Sequence, residues 1–281
     1  MLIVVDENDV VQKGLEYSKK HAHTFDAQQP RGHLHRAFSF FIFNANNEML
    51  LTRRADSKIT FPGVWTNTAC SHPLHGMVPD EVDEVPAAYP HFPNTKNAVT
   101  RKLYQELGIA SKDLPHDEIV FVSRFHYWAA DTVTYGPDAP WGEHEVDYIF
   151  FLKRNQEPEL NINPDEVAEY KYVSMDELKT MFDDPALKWS PWFRGIMERG
   201  GFAWWKDMDN TLAGKHTTDL VDFFDPPPEH CAAYNLPTHD RFTGVHRQTN
   251  DSMVTTSGAT TATAPLINNT DTTSATTTTT V

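Results

Sequence analysis

Asn97-Ala98-Val99-Thr100-Arg101-Lys102-Leu103-Tyr104-Gln105-Glu106-Leu107-Gly108-Ile109 carries apolar residues at Ala98, Leu103 and Leu107 and then meets a glycine. This spacing predicts a helix over 97–107 with Gly108 as its C-cap, since glycine readily takes the left-handed backbone of a helix end. Upstream, Leu2–Val5 reads as a short first strand closed by the turn Asp6-Glu7-Asn8-Asp9. Residues 37–44 are mainly apolar and aromatic, Asn44-Ala45-Asn46-Asn47 breaks the run, and residues 48–53 resume it, which predicts a β-hairpin. Residues 58–70, with Pro62 and Gly63, predict an irregular, site-forming loop. Downstream, 119–129 and 147–153 are strand-like, and Ser174 with Glu177 forms a capping box that opens a helix. Residues 192–199 and Trp204-Trp205 suggest a further helix with a hydrophobic flank. Strands and helices in this order give an α+β domain with a mixed β-sheet between α-helices.

The chain of 281 residues is long enough for one large core, and its formal charge of -15 argues against a nucleic-acid partner. A small anionic substrate is compatible with that charge, because a metal ion and a few local cations reverse the potential inside a pocket. The two cysteines, Cys70 and Cys231, make no disulfide framework. No apolar run reaches the length of a membrane span, and the N-terminus lacks the basic start of a targeting segment. A soluble cytoplasmic protein, monomeric and without membrane contact, is expected.

Chemistry concentrates in three stretches. Thr66-Asn67-Thr68-Ala69-Cys70-Ser71-His72-Pro73 sets a thiol two residues from an imidazole in a loop closed by proline. Leu34-His35-Arg36 supplies a second imidazole, and Trp141-Gly142-Glu143-His144-Glu145-Val146-Asp147 places Glu143 and Glu145 on one face of a strand. Two imidazoles, two carboxylates and a thiol from distant stretches make up a metal-assisted acid/base site. With these motifs, over about residues 4–205, the chain resembles the type I isopentenyl-diphosphate isomerases. The helix at 101–109 resembles the Nudix box, which binds metal diphosphates, in degenerate form: Lys102 and Gln105 stand where hydrolases carry acids, and Glu106 remains. The fold implied is Nudix-like.

The resemblance implies His23, His35, His72, Glu143 and Glu145 as ligands of a divalent metal, a donor set that suits Mg²⁺, Mn²⁺ or Zn²⁺. It implies Cys70 and Glu145 as the acid/base residues on opposite sides of the substrate's double bond. Tyr127 is implied as the hydrogen-bond partner of the glutamate, and Trp192 as the ring beside the cationic carbon. Lys19 (or its neighbour Lys20), Arg54 and Lys58, with Arg101 as a further candidate, would bind the diphosphate, and Glu106 a Mg²⁺ that bridges to it. The implied activity interconverts isopentenyl and dimethylallyl diphosphate through a tertiary carbocation. Two rivals stand beside it: a Nudix hydrolase of a nucleoside or prenyl diphosphate, and a catalytically silent relative that only binds. The isomerase domain is expected over 1–225, with an extension of unknown structure over 226–244. The threonine-rich residues 245–281 hold too little apolar surface to offset the entropy of ordering, so disorder is expected there.

Overall fold

The computed structural model describes residues 1–25, 31–136 and 139–224. The expectations for 226–244 and 245–281, and Cys231, lie outside these residues. In chain order the elements are β1 (Leu2–Val5), β2 (Val11–Tyr17), α1 (Lys19–His23), β3 (His35–Phe43), β4 (Met49–Arg54), β5 (Trp65–Thr66) and β6 (Ala69–Ser71). There follow α2 (Pro93–Leu107), β7 (Val120–Ala130), α3 (Thr132–Tyr135), β8 (Gly142–Lys153), β9 (Val167–Val173) and α4 (Met175–Phe182). The last are α5 (Pro191–Ile196), a π-helical turn over Met197–Gly201, α6 (Phe202–Lys206), α7 (Met208–Leu212) and β10 (Val221–Phe224).

The sheet runs β10-β7-β8-β3-β1-β2, with β6 on β3 and with β4 linking β3, β5 and β9. Because β8 pairs parallel to β3 and antiparallel to β7, the sheet is mixed. Both of its faces are buried. Phe38, Phe40, Ile42, Tyr148 and Phe150 pack on α2 through Ala98, Val99, Leu103 and Leu107. Phe41, Phe43, Ile149 and Phe151 pack on Trp192, Phe193, Ile196 and Trp205 of the C-terminal helices. The expected mixed sheet between helices is therefore present.

Two elements differ from expectation. The turn between β3 and β4 forms, with Asn44 Oδ1 accepting from the N–H groups of Asn46 and Glu48, but only Phe43 and Met49 pair across it. Asn67 and Thr68 wedge the strands apart. Thr68 Oγ1 accepts from Ile42 N at 2.9 Å and donates to Leu50 O at 2.7 Å, and Asn67 Nδ2 donates to Phe40 O at 3.2 Å. These side chains stand in for rungs of the hairpin, satisfying Ile42 N, Leu50 O and Phe40 O. The second difference is that α2 starts at Pro93, four residues early. Asp83, ten residues before it, accepts from Asn94 N at 3.1 Å and from Thr95 N and Oγ1 at 2.7 Å. Such a cap from outside the local sequence satisfies the free amides of the first turn. As expected, Gly108 closes α2 with φ 70, and Ser174 Oγ accepts from Glu177 N at 3.2 Å to start α4.

Thr68→Val keeps the shape of the buried side chain but strands the Ile42 amide and the Leu50 carbonyl. Each buried unsatisfied group costs about 1–3 kcal/mol, so a loss of about 2–4 kcal/mol is expected. Denaturant unfolding measures it, and a loss under about 0.5 kcal/mol would show that Thr68 does not hold the wedge.

Candidate active site

Strand β8 forms the floor of the site. Glu143, Glu145 and Asp147 alternate onto one face. On one side β3 sets His35 beside Glu145, and on the other β7 sets Tyr127 opposite it. The row His35–Glu145–Tyr127 is thus a product of strand register, and the Tyr127 hydroxyl donates to Glu145 Oε2. His23 ends α1, after which Thr24 bridges to Trp141, the residue before β8, and His72 follows directly after β6.

The three imidazoles pack edge to edge or tilted, with ring centres 4.9, 5.1 and 5.3 Å apart. His23 Nδ1 lies 3.0 Å from the Gly142 carbonyl and 2.6 Å from Glu143 Oε2, both acceptors, so Nδ1 carries the proton. His35 Nδ1 donates to the His33 carbonyl at 2.7 Å, which leaves its buried Nε2 with a lone pair and no hydrogen-bond partner. His72 Nε2 lies 2.7 Å from Glu145 Oε1. Burial, then the charge of His23, push His35 down to about 3, and burial holds His72 well below the usual range. Both are therefore neutral near pH 7, the state that binds metal. Burial alone would raise Glu143, but the charge and hydrogen bond of His23 outweigh it and hold the carboxyl at about 2. Burial, then Glu143 and Asp147, raise Glu145 far above the usual carboxylate range.

These groups fit a divalent ion. Ligand atoms of His23, His35, His72 and Glu143 lie within 4.8 Å of one another, all four residues are buried, and His35 keeps a buried Nε2 with no hydrogen-bond partner. Glu145 stands alongside, its Oε1 3.7 Å from His35 Nε2. A divalent ion here would also relieve the like-charge conflict between the buried carboxylates of Glu143 and Glu145.

Cys70, on β6, faces the same cavity of about 530 Å³. It is free, and its Sγ lies 3.9 Å from Arg54 Nη1. Burial pushes the thiol up to about 12 against the pull of Arg54, so it is a protonated S–H near neutral pH. Trp192, buried near the start of α5, walls the cavity with Phe61 edge-on at 5.2 Å and with the Arg54 guanidinium 5.6 Å over its ring.

The other end of the cavity is charged: Lys19, Lys20, Lys58, Lys102, Glu106 and Glu166 line it. Lys19 and Lys20 both reach it. The cavity walls, then Lys102 and Lys58, pull the Lys19 ammonium below its usual value. Lys58 pairs with Glu166. Arg54 also lines the cavity, but its Nε and Nη2 donate to the carbonyls of Phe61 and Thr60 at 2.9 and 2.8 Å. Arg101 is engaged elsewhere. Its guanidinium grips Glu81 at 2.6 and 2.9 Å and the His72 carbonyl at 3.1 Å, so it braces the loop after Cys70. Glu106 faces the cavity beside Lys102 Nζ at 2.8 Å, whereas Gln105 is exposed.

Sequence reasoning missed Lys102 and Glu166 as cavity residues. Lys102 was legible in principle, since a residue four before Glu106 shares its helix face. Glu166 has no local signal. Asp147 was also missed as the third member of the carboxylate row: its Oδ2 accepts from Ser39 Oγ at 2.7 Å and its Oδ1 is buried without a partner.

The NUDIX domain family matches residues 33–193. The chain is 49% identical over 220 residues to a protein of Schizosaccharomyces pombe named isopentenyl-diphosphate delta-isomerase, with 78% of this chain and 88% of that one covered. It is 43% identical over 210 residues to an isopentenyl-diphosphate delta-isomerase of Gibberella zeae, covering 75% and 77%. A Bos taurus isopentenyl-diphosphate delta-isomerase is 42% identical over 212 residues, covering 74% and 86%.

Burial, opposed by the Ser39 hydrogen bond and aided by Glu143, pushes Asp147 from 3.8 up to about 8. Between these values the folded protein holds a proton that the unfolded chain has released, so this group's stabilisation is lost as pH rises through the window. Asn cannot ionise. In metal-free protein the melting temperature of Asp147→Asn should therefore gain on wild type from about pH 4 to about pH 8. Parallel curves would mean that Asp147 is ionised in the fold throughout.

Proposed function

The chain belongs to the NUDIX family and, within it, to the isopentenyl-diphosphate delta-isomerases, and we propose that Cys70 and Glu145 move the protons of that reaction in the cavity described above. The chain is an intramolecular C=C isomerase, not a hydrolase. The observation that carries the residue assignment is that a protonated thiol and a carboxyl with a raised pKa line one cavity, together with a tryptophan and a lysine-rich end.

Shifting the double bond adds a proton at C4 and removes one from C2, and the substrate is a tertiary carbocation in between. Of Cys70 and Glu145, the latter held by Tyr127 O–H, one gives its proton at C4 and the other, in its deprotonated form, takes the proton from C2. Trp192 offers the forming cation a π-face without a nucleophile, and its burial keeps water from trapping that cation. Lys19, Lys58 and Lys102 orient the diphosphate. His23, His35, His72, Glu143 and Glu145 would hold a divalent ion, which when bound fixes Glu145 and offsets the charge of the two buried carboxylates. Mg²⁺, Mn²⁺ and Zn²⁺ all suit this donor set. On α2 the position of Lys102 leaves Glu106 as the acid facing the cavity, too few carboxylates for the metal cluster that a hydrolase uses to activate water. We assign the protein to the cytoplasm on its sequence character; no described helix is long and apolar enough to cross a membrane.

Cys70→Ala should lower kcat by about 10²–10⁴-fold, with metal content and melting temperature near wild type. The assay is allylic product formation from isopentenyl diphosphate. A variant retaining more than about a tenth of the activity would remove Cys70 from the mechanism.

His72→Ala should lose metal and activity together, since one ligand goes and the imidazole also fixes the loop that carries Cys70. Elemental analysis of the purified variant decides it: full occupancy with normal turnover would reduce His72 to a packing residue.

A further inference from the structure

At the lysine end of the cavity, acids and bases alternate. Lys102 Nζ lies 2.8 Å from Glu106 Oε1 and 3.7 Å from Glu166 Oε1, and Lys58 Nζ pairs with the other oxygen of Glu166. One ammonium therefore stands between two carboxylates, both of which line the cavity. Glu166 is fixed in place. Its N–H donates to Asn163 O at 3.0 Å, and its own carbonyl accepts from Ala55 N at 3.0 Å, next to the end of β4. The Glu166 side chain is 26% exposed, open to the cavity but not a free surface acid.

A diphosphate ester carries several negative charges near neutral pH, and its oxygens compete with both carboxylates for Lys58 and Lys102. When the lysines turn to the diphosphate, Glu106 and Glu166 lose their counter-charges and face an anion. A divalent cation shared between carboxylate and diphosphate oxygens removes that repulsion. Mg²⁺ is held in this manner, by one or two carboxylates together with substrate phosphates. We propose that Glu166 joins Glu106 as a carboxylate ligand of the divalent ion that accompanies the diphosphate, with Lys102 as their shared counter-charge until substrate arrives. The proposal rests on the isomerase reading only for the substrate class.

The test is calorimetric binding of inorganic pyrophosphate to the full chain at a series of Mg²⁺ concentrations, with the metal content of the histidine cluster measured in each preparation. Wild-type affinity should rise with Mg²⁺. Glu166→Gln should lose about tenfold of that Mg²⁺-dependent gain, with the histidine-cluster metal and the melting temperature unchanged. Glu166→Asp keeps the charge and should recover part of the gain, which also covers the case in which the glutamine variant folds poorly. An undiminished Mg²⁺ gain in Glu166→Gln would overturn the proposal, including the case in which it binds pyrophosphate more tightly at every Mg²⁺ concentration. That last result would make Glu166 a mere competitor for the lysines. Because the readout needs no turnover, a wild-type protein that binds pyrophosphate but does not isomerise would count against the functional reading alone.

Discussion

Between Phe121 and Ser123, strand β7 carries one residue more than its partner β8, and the site depends on that bulge. Ile119 and Phe121 face the core beneath α2, whereas Phe125, Tyr127 and Ala129 face the opposite core, although all five positions are odd. In a regular strand, Phe121 and Tyr127, six apart, would point the same way. The extra residue at Val122 reverses the alternation, which lets Tyr127 meet Glu145 while Phe121 stays packed on Phe92 and Tyr148. Bulges commonly re-aim a side chain in this way beside active sites. A slip of one residue would instead turn Tyr127 onto the α2 face and leave Glu145 Oε2 buried without its hydroxyl partner.

From that register follows a division of the cavity by electrostatics. The inner end collects buried titratable groups: burial keeps His35 and His72 neutral and Cys70 protonated, and raises Glu145 above the usual carboxylate range. The outer end gathers lysines on a chain whose formal charge is -15. Net charge therefore says little about what the cavity attracts, because local cations with low-dielectric walls set the field there. The two ends match a substrate with an uncharged, proton-exchanging hydrocarbon and a charged head. Arg54 joins them: it holds the loop at Thr60 and Phe61, lies over Trp192 and reaches toward Cys70.

What was legible in the sequence is what local periodicity and spacing encode. Glu143 and Glu145 two apart, the thiol two before His72, and the helix ending at Gly108 all appear where the pattern puts them. What was not legible comes from contacts between distant segments. No local pattern reports the Val122 bulge, the wedge of Asn67 and Thr68 between β3 and β4, or the capping of α2 by Asp83. Arg101 shows the same limit from the other side. The resemblance offered it as a further diphosphate contact, but Glu81, twenty residues away, takes the guanidinium in a nearly buried pair. Glu166 reaches the cavity only because the turn that carries it is bound to Ala55.

Proton movement on carbon in this cavity, with the diphosphate left whole, has a direct signature in deuterated water. The measurement is incubation of the protein, Mg²⁺ and isopentenyl diphosphate in D₂O, with products followed by NMR. Dimethylallyl diphosphate with deuterium in the methyl group formed from C4 is expected, with no release of phosphate or pyrophosphate. Phosphate or pyrophosphate release faster than allylic product would contradict it.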